Sequence, residues 1–234
     1  MSDNIDPVHR DFSRLAAGAY DQGGNRSTHT SNTNYMLHPN AAFSDHSITT
    51  YVSKNDPRHI VIAHRGTAPG SKGGRQDIGT DLALAGGFAG ERKRMKDRQR
   101  KTEQIIKSVN PTTLHLTGHS LGGSTVNHTI ANSRLVRSKL TSAHTFNAGH
   151  NPLAANKLTV NRRAAKRLEG KVVHHRIGGD AVSAGLTASS PFGTVRTYNK
   201  KRTTGQRLLA AVSPFTGIAN RALDTHGIHN FHGG

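Results

Sequence analysis

The chain has 234 residues, enough for one α/β domain or two small ones, and apolar residues make up 33% of it. Lys and Arg number 32 against 14 Asp and Glu: residues 1–120 carry 16 basic and 11 acidic groups, and residues 121–234 carry 16 and three. Cysteine is absent, which excludes disulfides and thiolate metal sites. The composition argues against disorder throughout and predicts a core of Val, Ile, Leu and Ala.

The first 84 residues predict two helical segments and two strands. Apolar residues on one stripe predict a helix over Asp11–Tyr20, and the polar stretch 21–40 predicts a long loop. Ser47–Ser53 and His59–His64 are strand-like and are separated by a turn. Asp77–Leu84 then has helical spacing.

The rest of the chain alternates helices with strands. The helices are expected from Glu91–Lys101 on to Asn110, over Gly122–Leu140 and Asn156–Leu168, with a further one at Arg207–Val212; the strands are expected at Thr112–Thr117, Ser142–Asn147 and Lys171–Ile177. This alternation predicts one α/β domain over residues 1–234 with a largely parallel sheet.

Neither a signal peptide nor a membrane span is expected. Met1–Arg10 is polar and has no apolar segment. The longest stretch without charge, Ser108–Ser133, contains a proline, three histidines and several small polar residues. The sequence therefore predicts a soluble protein.

Residues 118–122, Gly-His-Ser-Leu-Gly, match the pattern G-x-S-x-G and lie between a predicted strand and a predicted helix. A turn that sharp holds its serine in a strained conformation, which the flanking glycines permit, and presents the hydroxyl at the carboxyl end of the sheet. We therefore expect Ser120 to be a nucleophile rather than part of an ordinary glycine-rich turn.

A serine nucleophile needs a base and an orienting acid, which in this architecture follow it in the order acid, then histidine. The acids after Ser120 are Glu169, Asp180 and Asp224. Glu169 ends a basic helix, and Asp224 is only two residues from a histidine. Asp180 follows a strand through two glycines, at a carboxyl end of the sheet, and is the expected acid.

The base is expected among His226, His229 and His232 near the end of the chain. Their spacing of three residues also resembles metal ligands, but Asp224 is the one carboxylate nearby, so we expect neither a metal nor another cofactor. The isolated histidines elsewhere are expected to be core or surface groups.

An oxyanion hole requires two donors. The Leu121 amide, directly after the nucleophile, supplies one. The other is expected from Thr67, in the turn that follows the strand ending at His64.

These residues resemble the class 3 lipases, a branch of the α/β-hydrolases. The resemblance is carried by IVIAHRGT (60–67), DIGTDLAL (77–84), TGHSLGG (117–123), TFNAG (145–149), RIGGDAVS (176–183) and HGIHNF (226–231). The terminal pattern selects His226 as the base. The segments TDLALAGG and TFNAGHNP are most similar to lipase-like proteins of large DNA viruses.

The chain departs from this family where triacylglycerol lipases carry an apolar lid. Residues Ala68–Gln76 are short, polar and basic, and NAGHNP lacks the proline usual directly after the alanine. Without an amphipathic lid helix, we do not expect activation by neutral oil.

The resemblance implies a serine ester hydrolase that acts on lipid or acyl esters through an acyl-enzyme. The basic surface favours an anionic membrane over nucleic acid, because aromatic residues for base stacking are few. The alternative is a binding or structural protein, such as a virion component, that retains a lipase fold. Cytoplasmic and virion-associated locations are both compatible with the sequence, which predicts no oligomeric state.

Overall fold

A mixed sheet forms the centre of the protein. The computed structural model describes residues 6–21, 28–66, 89–149, 160–178, 180, 192–198 and 227–232. Within these residues the strands are β1 (Tyr35–Leu37), β2 (Ile48–Ser53), β3 (His59–His64), β4 (Thr113–His119), β5 (Leu140–Phe146), β6 (Val172–Ile177) and β7 (Thr194–Tyr198). They pair in sequence order: β2 is antiparallel to both β1 and β3, and the strands from β3 to β7 are parallel. The predicted, mostly parallel α/β sheet is confirmed.

Helices cover both faces of this sheet. In the described part of the chain they are α1 (Pro7–Gly18), α2 (Ala89–Val109), α3 (Leu121–Asn132), α4 (Arg134–Lys139) and α5 (Arg162–Leu168), with short 3-10 segments at Ala41–Phe43 and Ile228–Phe231. None of the described helices has the length and apolarity needed to cross a membrane.

Alternation along the strands produces two hydrophobic cores. On one face, Ile60 and Ile62 of β3 pack with residues of α2, α3, α4 and α5. On the other, Val61 and Ala63 pack with α1 and with Phe231 of the C-terminal 3-10 segment. A strand that alternates between two such cores is held in register, since a slip of one residue would exchange its faces.

Two predicted helices differ from the structure at their ends. Helix α1 begins at Pro7 rather than Asp11, because the Asp6 carboxylate accepts the Val8 amide and caps the helix at 3.0 Å. The predicted helix over Gly122–Leu140 is broken at Ser133, whose hydroxyl accepts the Val136 amide at 3.1 Å and starts α4.

Two edge strands were not predicted. Strand β1 lies inside the expected loop 21–40 and has only three residues. Buried and exposed side chains do not alternate clearly along strand β7, because several of its side chains are exposed at the edge of the sheet. The helix expected over Asn156–Leu168 is seen as Arg162–Leu168, and the Asn161 side chain caps its N-terminus by accepting the Ala164 amide. Asp77–Leu84 and Arg207–Val212 lie outside the described residues.

Candidate active site

Ser120 occupies the turn between β4 and α3. Its backbone has φ 57° and ψ −126°, a conformation that residues other than glycine rarely adopt, and its surface is 2% exposed. Backbone strain of this kind persists only where the surrounding structure enforces it, and it concentrates at functional sites. This is the sharp strand-to-helix elbow that the pattern G-x-S-x-G predicts.

Three glycines allow the chain to pack around the elbow. A Cβ atom on Gly118 would lie 2.5 Å from the carbonyl carbon of Gly122, and one on Gly123 would lie 2.7 Å from the Cβ of Ala148. A Cβ atom on Gly122 would overlap the carbonyl oxygen of His64 at the end of β3. The doubled glycine at 122–123 therefore lets α3 approach both neighbouring strand ends.

Backbone hydrogen bonds fix the elbow against the end of β5. The Ser120 amide donates to the carbonyl oxygen of Phe146 at 2.9 Å, and the Ser120 carbonyl oxygen accepts the Gly149 amide at 3.3 Å. The Ser124 amide also donates to this oxygen, at 3.1 Å. The strained serine is thus tied to the loop after β5 as well as to its own helix.

Leu121 is the first residue of α3, so its amide has no acceptor within the helix and can face an anion. The second expected donor, Thr67, lies outside the described residues, but its neighbour Gly66 is described. A Cβ atom on Gly66 would lie 2.6 Å from the carbonyl oxygen of His119. The segment that leads into Thr67 therefore runs directly against the elbow.

Tyr20, just beyond α1, links the segment after β3 to the elbow through hydrogen bonds. Its hydroxyl lies 2.8 Å from His119 Nδ1, and the Gly66 amide donates a hydrogen bond to the hydroxyl oxygen. Burial raises the pKa of the Tyr20 hydroxyl, so the phenol stays protonated at neutral pH.

Arg98 of α2 holds the same segment from the opposite side. Its guanidinium donates to the carbonyl oxygen of Arg65 at 2.7 Å and to the Thr125 hydroxyl at 3.5 Å. Sequence reasoning did not single out Tyr20 or Arg98. Neither belongs to a short motif around Ser120, and only the fold brings them to it.

His64 ends β3 close to the elbow. It is fully buried, and its Nε2 lies 3.3 Å from the Thr102 hydroxyl. Burial, aided by the charge of Arg98, lowers its pKa to about 3. An imidazole this weakly basic is unsuited to accept the proton of Ser120.

Asp180 lies just beyond β6 and is fully buried. Its amide donates to the carbonyl oxygen of Ile177 at 3.1 Å. The Ile177 amide donates in turn to Asn147 Oδ1 at 2.9 Å, which joins the ends of β5 and β6. Because β4, β5 and β6 are parallel, Ser120 and Asp180 follow strands that end at the same edge of the sheet.

The C-terminal 3-10 segment packs on the same side of the sheet as α1. Phe231 is fully buried, with its ring 5.0 Å from that of Phe146, and its carbonyl oxygen accepts the Ser13 hydroxyl at 3.2 Å. Phe146 is the residue whose carbonyl oxygen holds the Ser120 amide, so the segment is anchored at the strand next to the elbow.

The three candidate bases differ in their surroundings. His226 lies outside the described residues and directly precedes Gly227. His229 is exposed and its ring packs over Gly227. His232 is partly buried, its Nε2 has no hydrogen-bond partner among the described residues, and burial lowers its pKa.

A mostly parallel sheet with a serine at a sharp strand–helix turn is characteristic of the α/β-hydrolase fold. A solved structure of a triacylglycerol lipase, in which a serine protease triad forms the catalytic centre, is similar to this chain. Its TM-score is 0.50 at 14% identity, and the match covers 85% of this chain and 81% of that one. The likeness establishes the fold. No protein-family model and no curated protein matches the chain.

Proposed function

We propose that this protein is a serine ester hydrolase of the class 3 lipase type, with the whole chain, residues 1–234, forming one α/β-hydrolase domain. The observation that carries the proposal is the strained backbone of Ser120 between β4 and α3, enforced by glycines that cannot accept a side chain. An ordinary turn between a strand and a helix has no need of a strained, buried serine.

In the proposed mechanism, the Ser120 Oγ attacks the acyl carbonyl while His226 accepts its proton. His226 then gives the proton to the leaving alcohol, and water releases the acyl group by the reverse sequence. Asp180 orients the imidazole, and the amides of Leu121 and Thr67 stabilise the oxyanion. No cofactor takes part.

Three features support these assignments. Asp180 is buried at the edge of the sheet where β4 also ends. His229 is exposed over Gly227, and the terminal pattern HGIHNF, which resembles that of the class 3 lipases, favours His226 as the base. Gly66 brings the chain against the elbow one residue before Thr67.

The proposed substrates are lipid esters at anionic surfaces. Helix α2 exposes Lys93, Arg94, Lys96 and Arg100, and α5 exposes Arg162, Arg163, Lys166 and Arg167. Both helices pack their apolar residues into the core on one face of the sheet, so their basic side chains lie on the same side of the molecule. Such a surface attracts anionic lipid and loses that attraction in salt.

Hydrolysis of a series of acyl esters, from short chains to phospholipids, tests the proposal. Ser120→Ala is expected to lower the rate by about 10⁴–10⁶ without loss of fold. Ser138→Ala is the matched control, because Ser138 is exposed on α4 and its hydroxyl donates to the carbonyl oxygen of Leu135 in the same helix. Activity of Ser120→Ala within tenfold of the parent would remove Ser120 from the mechanism. An inactive parent would favour the binding or structural alternative.

A further inference from the structure

Three histidines converge beneath α1. His9 lies on α1, His144 on β5 and His175 on β6, and all three are buried. One ring nitrogen of each lies within 4.8 Å of the other two. The closest pair is His144 Nδ1 and His175 Nε2, which are 3.2 Å apart.

These separations suit a shared metal ion. Nitrogen ligands bound tetrahedrally at about 2.0–2.1 Å lie about 3.3 Å from one another. The pair formed by His144 and His175 already has this spacing. His9 lies on the helix that covers the sheet, and one of its ring nitrogens lies within 4.8 Å of a ring nitrogen of each of the other two histidines.

The outer nitrogens of the two strand histidines have hydroxyl partners. His144 Nε2 lies 3.1 Å from Ser142 Oγ, and His175 Nδ1 lies 2.9 Å from Tyr198 Oη. When these oxygens accept the ring N–H groups, both inner nitrogens keep lone pairs that face one another. Metal-bound histidines in proteins are oriented in this way by a partner on the other nitrogen.

His9 contributes an independent observation. Its Nδ1 is buried and has no hydrogen-bond partner among the residues that the structure describes. A buried nitrogen in that state costs free energy, and coordination of an ion through it would remove the cost. Its ring centroid lies 5.0 Å from that of His144 and 4.7 Å from that of His175.

The three rings lie in a buried layer between α1 and the sheet. Two charges act on the site from outside: Arg196 on the neighbouring β7 opposes a cation, and Asp6 at the start of α1 favours one.

We propose that His9, His144 and His175 form a binding site for a divalent transition-metal ion of the zinc type, which ties α1 to β5 and β6. Three imidazoles without a carboxylate favour Zn²⁺, Cu²⁺ or Ni²⁺ over Mg²⁺ and Ca²⁺. A water molecule completes the coordination. The ring of Phe12 stacks on His144 at 4.4 Å and that of Phe146 on His175 at 4.8 Å, which holds both ligands in place.

The test uses the untagged full chain, freed of metal by chelation and titrated with Co²⁺. We expect one equivalent to bind with the intense visible absorption of tetrahedral Co²⁺, to be displaced by Zn²⁺, and Zn²⁺ to raise the unfolding temperature. His9→Gln is the main variant, because His9 lies on the covering helix and not in the sheet. It should weaken binding by at least about tenfold.

His59→Gln is the matched control. His59 is hydrogen-bonded to His115 in the same layer of the sheet but is not one of the three ligands. It should bind Co²⁺ as the parent does, and circular dichroism checks that both variants are folded. Absence of a bound ion in the parent, unchanged affinity in His9→Gln, or an equal loss in His59→Gln would each overturn the proposal. The ester hydrolase proposal shares no residue with this site and does not depend on the result.

Discussion

Acidification from pH 7 to pH 5 is expected to destabilise this protein strongly, because the folded state buries several histidines in their neutral form. Burial lowers the pKa of His64 to about 3, that of His115 to about 4 and that of His144 to about 3. In the unfolded chain a histidine has a pKa of about 6.5. Below that pH the unfolded state binds protons that the folded state does not, so stability is full above pH 6.5 and falls as the pH drops.

The size of the destabilisation follows from the difference between the histidine pKa values in the folded and unfolded states. At pH 5 the pH is about 1.5 units below the pKa of a histidine in the unfolded chain, so that histidine is protonated, whereas the buried histidine of the folded state is still neutral. Each histidine then costs about 2 kcal/mol, and the three together about 6 kcal/mol. A domain is stable by about 5–15 kcal/mol in total, so the loss should be large.

The carboxylate of Asp45 changes little in the same range. Although Asp45 is partly buried, its hydrogen bonds to Lys101 and Ser47 hold its pKa well below its usual range. Asp45 therefore stays ionised down to pH 5, and the stability that it contributes is lost only in stronger acid. Burial raises the pKa of Asp11, so a proton that Asp11 takes up in the folded state acts against the destabilisation, and the loss of stability between pH 7 and pH 5 reports on the histidines.

Urea unfolding followed by circular dichroism at pH 7, 6 and 5 measures the effect, with chelator present so that metal release does not contribute. His64→Gln should reduce the difference in unfolding free energy between pH 7 and pH 5 by about 2 kcal/mol, because it removes one titrating group. A parent protein whose unfolding free energy differs by less than about 1 kcal/mol between these pH values would refute the reasoning.

Three further predictions concern the elbow, the C-terminal segment and the charged surface. Gly122→Ala places a Cβ atom on the His64 carbonyl oxygen and should cost at least about 3 kcal/mol in chemical denaturation; a cost under 1 kcal/mol would contradict the packing. Phe231→Ala should cost about 3–5 kcal/mol and also lower esterase activity, because it removes the buried anchor that follows His226; full activity would separate this segment from the site. In sedimentation assays the protein should bind anionic vesicles at low salt and dissociate from them at high salt. Equal binding to neutral vesicles, or binding to neither kind, would exclude an anionic membrane as the preferred binding surface.

Local patterns predicted much of the fold. His59–His64 was predicted with the bounds that it has, because a run of apolar residues between polar turns reads as a strand. The turn at Ser120 was also predicted, since the glycines, the preceding strand and the following helix all lie within a dozen residues. The break at Ser133 was missed because the apolar spacing continues through it, while the cap depends on a single hydroxyl.

The histidines that meet beneath α1 were beyond sequence reasoning. His144 and His175 lie 31 residues apart and were expected to be ordinary core or surface groups. The pairing of β5 with β6 brings their rings together, and α1 adds His9 from the start of the chain. Strand pairing between distant segments is set by the whole core, so no local pattern contains this arrangement.

The nucleophilic role of Ser120 is the central claim, and covalent labelling tests it most directly. A fluorophosphonate reacts with a serine hydroxyl only where a base activates it and an oxyanion site stabilises the product. We predict one adduct per folded chain, mapped to Ser120 by peptide mass spectrometry, absent after unfolding in urea and formed far more slowly in His226→Gln. An adduct on another residue, or no adduct on the folded protein, would contradict the account.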